Sequence, residues 1–336
     1  MLLVYDEIYG DHLRGIPHPE SPDRVQVVAE FLRRRGAFEN SVAARDARDD
    51  EILAVHSPRY LENVKREVGR LGASAGYLST GDTAVDACSL GVARRAAGGA
   101  IAAMEATVER REASFAIVRP PGHHAESSRG MGFCVFNNAV IAARAYRETC
   151  GGRVLIADFD YHHGNGTQQL SGNGISYLSS HAAPAYPGTG SVRENRFDGT
   201  DAVINVTLPP HAFGTEPFVA LWERILPLVA DRVKPDLLIM SAGFDYVAGD
   251  PIGDLGVDVG AARALAACAN AVAQKWCAGR IVYLLEGGYD VDALARSVGL
   301  VFDVHGRDES ATSGASTGAV PEKQREMLDG VREMLR

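Results

Sequence analysis

Two carboxylates and two imidazoles follow directly after a short apolar run at residues 154–157. The run is typical of a buried strand in a parallel sheet. Because side chains along a strand alternate between its faces, Asp158, Asp160 and His162 are predicted to point the same way. Asp160 and His162 can then bind one cation from one side, with Asp158 behind them. Such crowding within nine residues, with Gly164 and Gly166 for a sharp turn, favours a metal site over a solvated strand end.

Polar residues also follow four other apolar runs of the chain. They are His123 and His124 after run 115–118, Ser179 and Ser180 after run 175–178, Asp245 after run 237–240, and Tyr289 after run 281–285. In open parallel sheets the reactive groups collect at the carboxyl ends of the strands. The sequence therefore predicts that five strand ends meet at one rim and form an active site.

Asp160, His162 and Asp245 provide an oxygen, a nitrogen and an oxygen ligand with a net charge of −2. Three protein ligands leave coordination positions open, which is typical of a catalytic rather than a structural zinc. A metal held in this way lowers the pKa of bound water and polarises a carbonyl oxygen. The ligand set also suits Fe²⁺, so the sequence leaves the identity of the metal open.

The remaining polar residues at the rim suit amide or ester hydrolysis through a tetrahedral intermediate. His123 and His124 are suited to proton transfer, and Asp158 and Asn165 are candidates to orient them. Tyr289 follows two glycines, where its hydroxyl could stabilise an oxyanion. Taken singly, a histidine pair is more often structural and a Gly-Gly-Tyr segment is more often a simple turn. Their combination at strand ends favours function.

Length and composition indicate a globular protein with a large core. The chain has 336 residues, of which 46% are hydrophobic, and a net charge of −9. This charge argues against a nucleic-acid or membrane surface as partner. The five cysteines are scattered without a Cys-x-x-Cys pair, which predicts reduced thiols in a cytoplasmic protein. The start of the chain lacks the basic region of a signal peptide, and no apolar stretch approaches a membrane span.

Apolar runs alternate with alanine-rich amphipathic stretches at 88–109, 137–149, 216–233 and 258–276. Further strand-like runs occur at 1–5 and 202–208. The alternation predicts an α/β fold with one central, mostly parallel sheet and helices on both faces. We expect one catalytic domain over 1–305. Residues 306–336 are expected to form a loop (306–318) and a short polar helix (320–335), packed on or trailing from that domain.

In its sequence motifs the chain resembles the histone deacetylase superfamily, which includes bacterial deacetylase-like amidohydrolases and acetylpolyamine amidohydrolases. The resemblance spans about 270 residues in the family's order. The matching segments are 18–24, 119–125, 132–134 with Asn137 and Asn138, 158–168, 186–190, 241–251 and 286–290. It implies an arginase-deacetylase-like fold and a zinc-dependent deacylase that acts on a lysine-like amine.

The resemblance also implies roles for individual residues. Asp160, His162 and Asp245 match the zinc ligands, and His123 and His124, backed by Asp158 and Asn165, match the acid–base pair. Tyr289 matches the carbonyl-polarising phenol. The substrate tunnel is implied at Phe133 and Tyr186, with Gly132 and Ile252 beside them. A structural K⁺ site is implied at Asp158, Asp160, His162, Ser179 and Ser180.

Two departures from the family's patterns bear on the substrate. Asn165 stands where many eukaryotic class I members have aspartate, which favours class II-like proteins. Ile252 stands where the polyamine-selective member has a glutamate. An acetylpolyamine or other small-amide hydrolase is the alternative function.

Two further functions fit the sequence less well than the deacylase. A ureohydrolase needs two metals, usually bound through an Asp-x-Asp segment, but Val247 stands here in place of the second aspartate. A non-enzymatic metal-binding module would need a broken catalytic set, whereas here every role is filled. The acyl group and the oligomeric state are left open by the sequence.

Overall fold

The computed structural model describes residues 1–72, 74–306 and 318–336. Its strands occur at the positions that the apolar runs predict, with four short additions of two residues each. They are β1 (Leu2–Val4), β2 (Ser41–Val42), β3 (Gly76–Tyr77), β4 (Ala84–Val85), β5 (Ser114–Ala116), β6 (Val154–Asp158), β7 (Ile175–Ala182), β8 (Arg196–Phe197), β9 (Ala202–Leu208), β10 (Leu237–Ala242) and β11 (Ile281–Leu285).

Nine of these strands form one sheet in the order β2-β1-β5-β11-β10-β6-β7-β9-β8. Every neighbouring pair is parallel except β8 and β9. The inner strands β6, β7, β10 and β11 are buried along their whole length, as expected for a parallel sheet covered on both faces. β3 and β4 form a separate antiparallel hairpin.

The helices lie mainly between the strands along the chain. They are α1 (Asp23–Arg34), α2 (Asp49–Leu53), α3 (Pro58–Val68), α4 (Ser89–Arg110), α5 (Asn138–Cys150), α6 (Asn165–Leu170), α7 (Thr215–Val233), α8 (Ala261–Trp276), α9 (Val291–His305) and α10 (Glu322–Met334). α5 packs against β6 and β10. α7 contacts β6 and β7, α8 contacts β10 and β11, and the two helices pack on each other as a second layer. The predicted sheet with helices on both faces is confirmed. Within the described residues, no helix is both long and apolar enough to cross a bilayer.

Side-chain caps fix the start of two helices next to the strand ends. The Asn137 side chain accepts a hydrogen bond from Val140 N–H at the start of α5. Asp290 accepts from the N–H groups of Asp292 and Ala293 at the start of α9. Such caps satisfy N–H groups that a first helical turn leaves without partners. They also define where the preceding loops must end.

Two strand boundaries differ from the sequence prediction for a physical reason. β7 continues to Ala182, because Ser179, Ser180 and His181 are buried and bonded within the fold although they end the apolar run. β5 ends at Ala116, two residues before the apolar run does, and the chain then leaves the sheet towards the histidine pair.

The C-terminal segment packs on the rest of the chain where it is described. Leu328 and Val331 of α10 belong to the same hydrophobic core as the sheet, and Gln324 donates a hydrogen bond to the Thr207 carbonyl of β9. The predicted polar helix at 320–335 corresponds to α10. The predicted loop at 306–318 falls mostly on residues 307–317, outside the described residues.

Candidate active site

Five neighbouring strands deliver the polar residues to one rim of the sheet. In the sheet order β5-β11-β10-β6-β7, each strand is followed by, or ends in, one of the polar segments found in the sequence. The register aligns Asp158 of β6 with Ser241 on one side and Ser179 on the other. Because all five strands are parallel, their carboxyl ends open on the same edge.

The sequence argument from strand alternation was wrong for Asp160 and His162. β6 ends at Asp158, so the two residues lie on the loop beyond the strand. Turn-forming hydrogen bonds bring them together instead: Asp160 N–H donates to Asp158 Oδ1, and His162 N–H donates to Asp160 Oδ1. Such bonds to a side chain two residues back give the chain a tight local curve.

Asp160, His162 and Asp245 form a buried cluster whose ligand atoms all lie within 4.8 Å of one another. His162 Nδ1 is 3.2 Å from Asp160 Oδ1 and 2.9 Å from Asp245 Oδ2. Backbone N–H groups orient both carboxylates, since Gly287 N–H donates to Asp160 Oδ2 and Tyr161 N–H donates to Asp245 Oδ1. The three side chains therefore converge as a preformed cluster.

The pKa values of this cluster indicate a site that requires positive charge. Burial opposes protonation of His162, but its hydrogen bonds to Asp160 and Asp245 outweigh burial and raise its pKa to about 10. Burial, helped by the charge of Asp160, raises the pKa of Asp245 to about 7. Two buried carboxylates that repel each other and trap a proton on histidine are well suited to a divalent cation. The residues thus fit a metal.

Two glycines allow backbone to approach the metal-ligand cluster closely. A Cβ atom at Gly243 would lie 1.8 Å from Asp160 Oδ2, and one at Gly287 would lie 2.4 Å from Asp245 Oδ2. No other residue type fits at either position without moving a ligand.

His123 is held by carboxylates. Its Nδ1 lies 3.2 Å from Asp158 Oδ2, which also accepts a hydrogen bond from the Tyr177 hydroxyl. Burial opposes protonation of His123, but the charges of Asp160 and Asp158 outweigh it and raise its pKa to about 10. The two carboxylates therefore favour the protonated form of His123.

His124 has a neutral partner. Its Nδ1 lies 2.8 Å from Asn165 Oδ1, while the Asn165 amide nitrogen donates to Glu126. This orientation of the amide makes Nδ1 of His124 the donor and leaves the lone pair on Nε2. Burial lowers the pKa of His124 well below its usual value, and the charges of His123 and His162 lower it further. The ring is therefore neutral, with Nε2 able to accept a proton.

Tyr289 lies on the segment between β11 and α9. Burial raises the pKa of its phenol well above the usual value, so the hydroxyl keeps its proton and can donate it in a hydrogen bond. The Arg24 guanidinium lies 4.8 Å from the ring centroid, and Phe133 packs edge-on against the same ring.

These residues open into one pocket of about 420 Å³. The four predicted tunnel residues line it, together with three predicted site residues, His124, His162 and Tyr289. Three further residues of the lining were not predicted from the sequence. The lining residues are His18, Tyr77, Asp82, His124, Gly132, Phe133, His162, Tyr186, Ile252 and Tyr289. Phe133 packs edge-on against His18 and Tyr186 against His124. Tyr77, Tyr186 and Ile252 are exposed, at 71%, 40% and 38%.

The two serines predicted near a second cation lie on β7, where Ser179 is aligned with Asp158 of β6. Ser179 Oγ lies 2.9 Å from His181 Nδ1, and Ser180 Oγ accepts a hydrogen bond from Trp222 Nε1. The Ser180 hydroxyl is thus already engaged.

Sequence reasoning missed two carboxylates that shape the site. Glu286 accepts hydrogen bonds from Gly122 and His123 N–H and so fixes the histidine loop. Its place directly after a buried strand was a usable signal. Asp82 accepts from Gly132 N–H and from the Tyr186 hydroxyl at the pocket mouth. No sequence signal marked Asp82, because its partners lie 50 and 104 residues away.

Comparison with known proteins agrees with this geometry. Residues 18–305 match the histone deacetylase domain family. A probable deacetylase of Archaeoglobus fulgidus is 33% identical over 319 residues, which cover 92% of this chain and 87% of the relative. A probable deacetylase of Methanothermobacter thermautotrophicus is 33% identical, covering 88% of each chain.

The fold gives the same result. The crystal structure of the HDA15 HD domain matches with a TM-score of 0.86 at 29% identity, covering 99% of this chain and 93% of the other. Both proteins share the arginase-deacetylase architecture. This chain therefore belongs to the histone deacetylase family and is a deacetylase-type hydrolase that acts on amides.

Proposed function

We propose that this protein is a zinc-dependent deacylase that hydrolyses the amide of an acylated lysine side chain. One observation carries the proposal: His124, His162 and Tyr289 line the same pocket. A neutral histidine, a member of the metal-ligand cluster and a protonated phenol thus face one space. Amide hydrolysis needs a base, a polarising group and an oxyanion donor in this arrangement.

Asp160, His162 and Asp245 would hold the Zn²⁺ ion, and Fe²⁺ fits the same ligands. When bound, the ion would polarise the substrate carbonyl and acidify water beside it. The K⁺ ion expected at Asp158, Asp160, His162, Ser179 and Ser180 is also part of the proposal. Ser180 Oγ accepts one hydrogen bond from Trp222 and keeps a second lone pair that could bind this ion.

The two histidines have different tasks in this proposal. Nε2 of His124 accepts the proton of the attacking water, because Asn165 holds its Nδ1 as the donor. His123 keeps its proton through the hydrogen bond to Asp158 and contributes a fixed positive charge next to His124. His124 then returns its proton to the leaving amine.

Tyr289 supplies the hydrogen bond that stabilises the intermediate. Its phenol donates to the substrate oxygen that gains negative charge as the carbonyl becomes tetrahedral. Arg24 supports this role from behind the ring, because a cation over the aromatic face stabilises the ring in place.

The pocket wall supports an acyl-lysine substrate. Phe133 and Tyr186 can bury the methylenes of a lysine side chain, whereas a polyamine would carry further amines to the mouth. Asp82 is the carboxylate of the pocket lining, and it already accepts hydrogen bonds from Gly132 and Tyr186. An acetylpolyamine is the alternative substrate because Asp82 lines the pocket to whose mouth those amines would extend.

We also propose that residues 1–305 form the catalytic domain, with 306–336 as an extension whose helix packs on it. The core position of Leu328 supports the packing of this helix. A cytoplasmic location is part of the proposal as well, supported by the five cysteines, which are all free thiols.

The substrate panel that tests the function contains acetyl-lysine peptides, longer acyl-lysine peptides and acetylated polyamines. Purified protein is assayed before and after chelation, and after readdition of Zn²⁺ or Fe²⁺. We expect turnover of an acyl-lysine peptide that chelator abolishes and Zn²⁺ restores. Turnover confined to polyamines would favour the alternative, and turnover that survives complete metal removal would contradict the proposal.

A further inference from the structure

Asp250 is a buried carboxylate next to the site that does not line the pocket. Its two oxygens accept four hydrogen bonds from backbone N–H groups. Oδ1 accepts from Ile252 at 2.9 Å and Gly253 at 3.1 Å. Oδ2 accepts from Tyr289 at 2.6 Å and Asp290 at 3.0 Å. One side chain thus ties a loop at the pocket mouth to the segment that carries Tyr289.

The segment that carries Tyr289 needs such a tie. Residues 286–290 run between β11 and α9 without regular structure and include Gly287 and Gly288, the latter at a φ of +118°. A chain with two glycines has many accessible conformations, so sheet and helix alone do not place the tyrosine. Arg24 holds the carbonyls of Glu286 and Gly288, but the backbone N–H of Tyr289 itself is held by Asp250.

We infer that Asp250 is a positioning residue that sets the place of the Tyr289 phenol through the Tyr289 backbone. The inference rests on the proposed role of Tyr289 as the oxyanion donor. An oxyanion donor must be held in its final geometry before reaction, because its benefit depends on not reorganising during the step. Asp250 provides that hold from outside the pocket.

Carboxylate chemistry is required at this position. A carboxylate can accept hydrogen bonds at both oxygens, whereas an asparagine amide accepts at one and donates at the other. In an Asp250→Asn variant, either the pair from Ile252 and Gly253 or the pair from Tyr289 and Asp290 would face an NH₂ group. The variant therefore disrupts one pair of bonds at nearly unchanged side-chain volume.

The test measures kcat for the best substrate in a double-mutant cycle of Asp250→Asn with Tyr289→Phe. If Asp250 acts through the phenol, Asp250→Asn should reduce kcat by about 10²-fold when the phenol is present. In the Y289F background, which has no hydroxyl to misplace, the same change should alter kcat by less than about threefold. Metal content should stay the same in every variant, since Asp250 bonds none of the three ligand side chains.

Asp254→Asn is the matched control. Asp254 lies on the same loop and accepts N–H bonds from Gly249 and Gly256, but its hydrogen bonds do not reach residues 289–290. Its substitution removes the same charge and should leave kcat within about threefold in both backgrounds. Asp250→Glu, which keeps both oxygens but moves them by about 1.5 Å, is a second variant for the same cycle.

Several results would overturn the inference. An equal loss of kcat in both backgrounds would show that Asp250 supports the fold in general, and so would failure of both Asp250 variants to fold. Native kcat in both Asp250→Asn and Asp250→Glu would show that the contact to Tyr289 is dispensable. Native kcat in Y289F alone would instead refute the proposed role of Tyr289 and remove the basis for that of Asp250.

Discussion

The imidazole rings of His123 and His124 lie 4.0 Å apart between centroids, yet their surroundings favour opposite protonation states. The charges of Asp160 and Asp158 favour the protonated form of His123, whereas burial and the charges of His123 and His162 lower the pKa of His124. The Nδ1 partner of His124 is Asn165, whose amide carries no charge that could offset these effects.

Replacing Asn165 by aspartate should move the pH dependence of catalysis. A carboxylate beside His124, close to Glu126, stabilises the protonated ring and raises its pKa. Because the proposed base must be neutral, the acid limb of the kcat/KM profile should shift to higher pH by about one unit. Asn173→Asp, the same change at an exposed loop position, is the control. An unchanged acid limb would show that His124 is not the base.

Asp245→Ala should abolish metal binding. It removes one of two carboxylate ligands, and we expect affinity for Zn²⁺ to fall by more than about 10²-fold. Metal analysis after dialysis should find one ion per native chain and almost none in the variant. Thermal melting gives a second readout, because Zn²⁺ should raise the melting temperature of the native protein alone. Full metal occupancy in the variant would refute the ligand assignment.

Tyr289→Phe should lose most of the turnover and keep the fold. Removing one donor to an oxyanion typically reduces kcat by about 10²–10³-fold. The ring contacts with Phe133 and Arg24 survive the substitution, so melting temperature and metal content should equal those of the native protein. Tyr283→Phe, which removes a phenol hydroxyl remote from the pocket, serves as control. Near-native turnover in Y289F would show that Tyr289 is only a turn residue.

Acid should destabilise the fold partly through His56. Burial lowers its pKa to about 4, and its Nε2 accepts a hydrogen bond from Asn137 N–H at the start of α5. The unfolded chain regains a pKa near 6.5, so it binds the extra proton first as pH falls. Stability is therefore fully present above about pH 6.5 and is lost as pH falls towards 4, by up to about 1.4 kcal/mol per pH unit.

Urea unfolding between pH 4 and pH 7 would measure this effect. His56→Gln keeps an acceptor for Asn137 but cannot be protonated. The number of protons taken up on unfolding should therefore fall by up to one, and the slope of unfolding free energy against pH should become smaller. Equal slopes in the two proteins would show that His56 is not a source of the acid sensitivity.

The sequence predicted the strands best where apolar runs were bounded by polar residues. β9 and β11 match their predicted runs to the residue, whereas β7 is longer because its last residues are polar but buried. Local spacing also identified Asp160 and His162, although turn bonds rather than strand alternation bring them together.

Residues that act across the fold were harder to find. Asp250 bonds residues 39 and 40 positions away, and Asp82 bonds one 104 positions away. A sequence pattern within a short stretch of residues cannot identify partners that are so far apart in the chain. These loops come together only in the folded chain.

The close approach of Gly243 and Gly287 to the metal-ligand carboxylates has a practical consequence for engineering. A library designed to widen the accepted acyl chain should keep both codons fixed, because any added side chain displaces a carboxylate and inactivates that clone. Diversity belongs instead at Tyr77, Tyr186 and Ile252, which are exposed at the mouth and have room to vary. The protein thus combines a metal-ligand cluster that tolerates no added side chain at two glycines with a pocket mouth whose residues can be replaced.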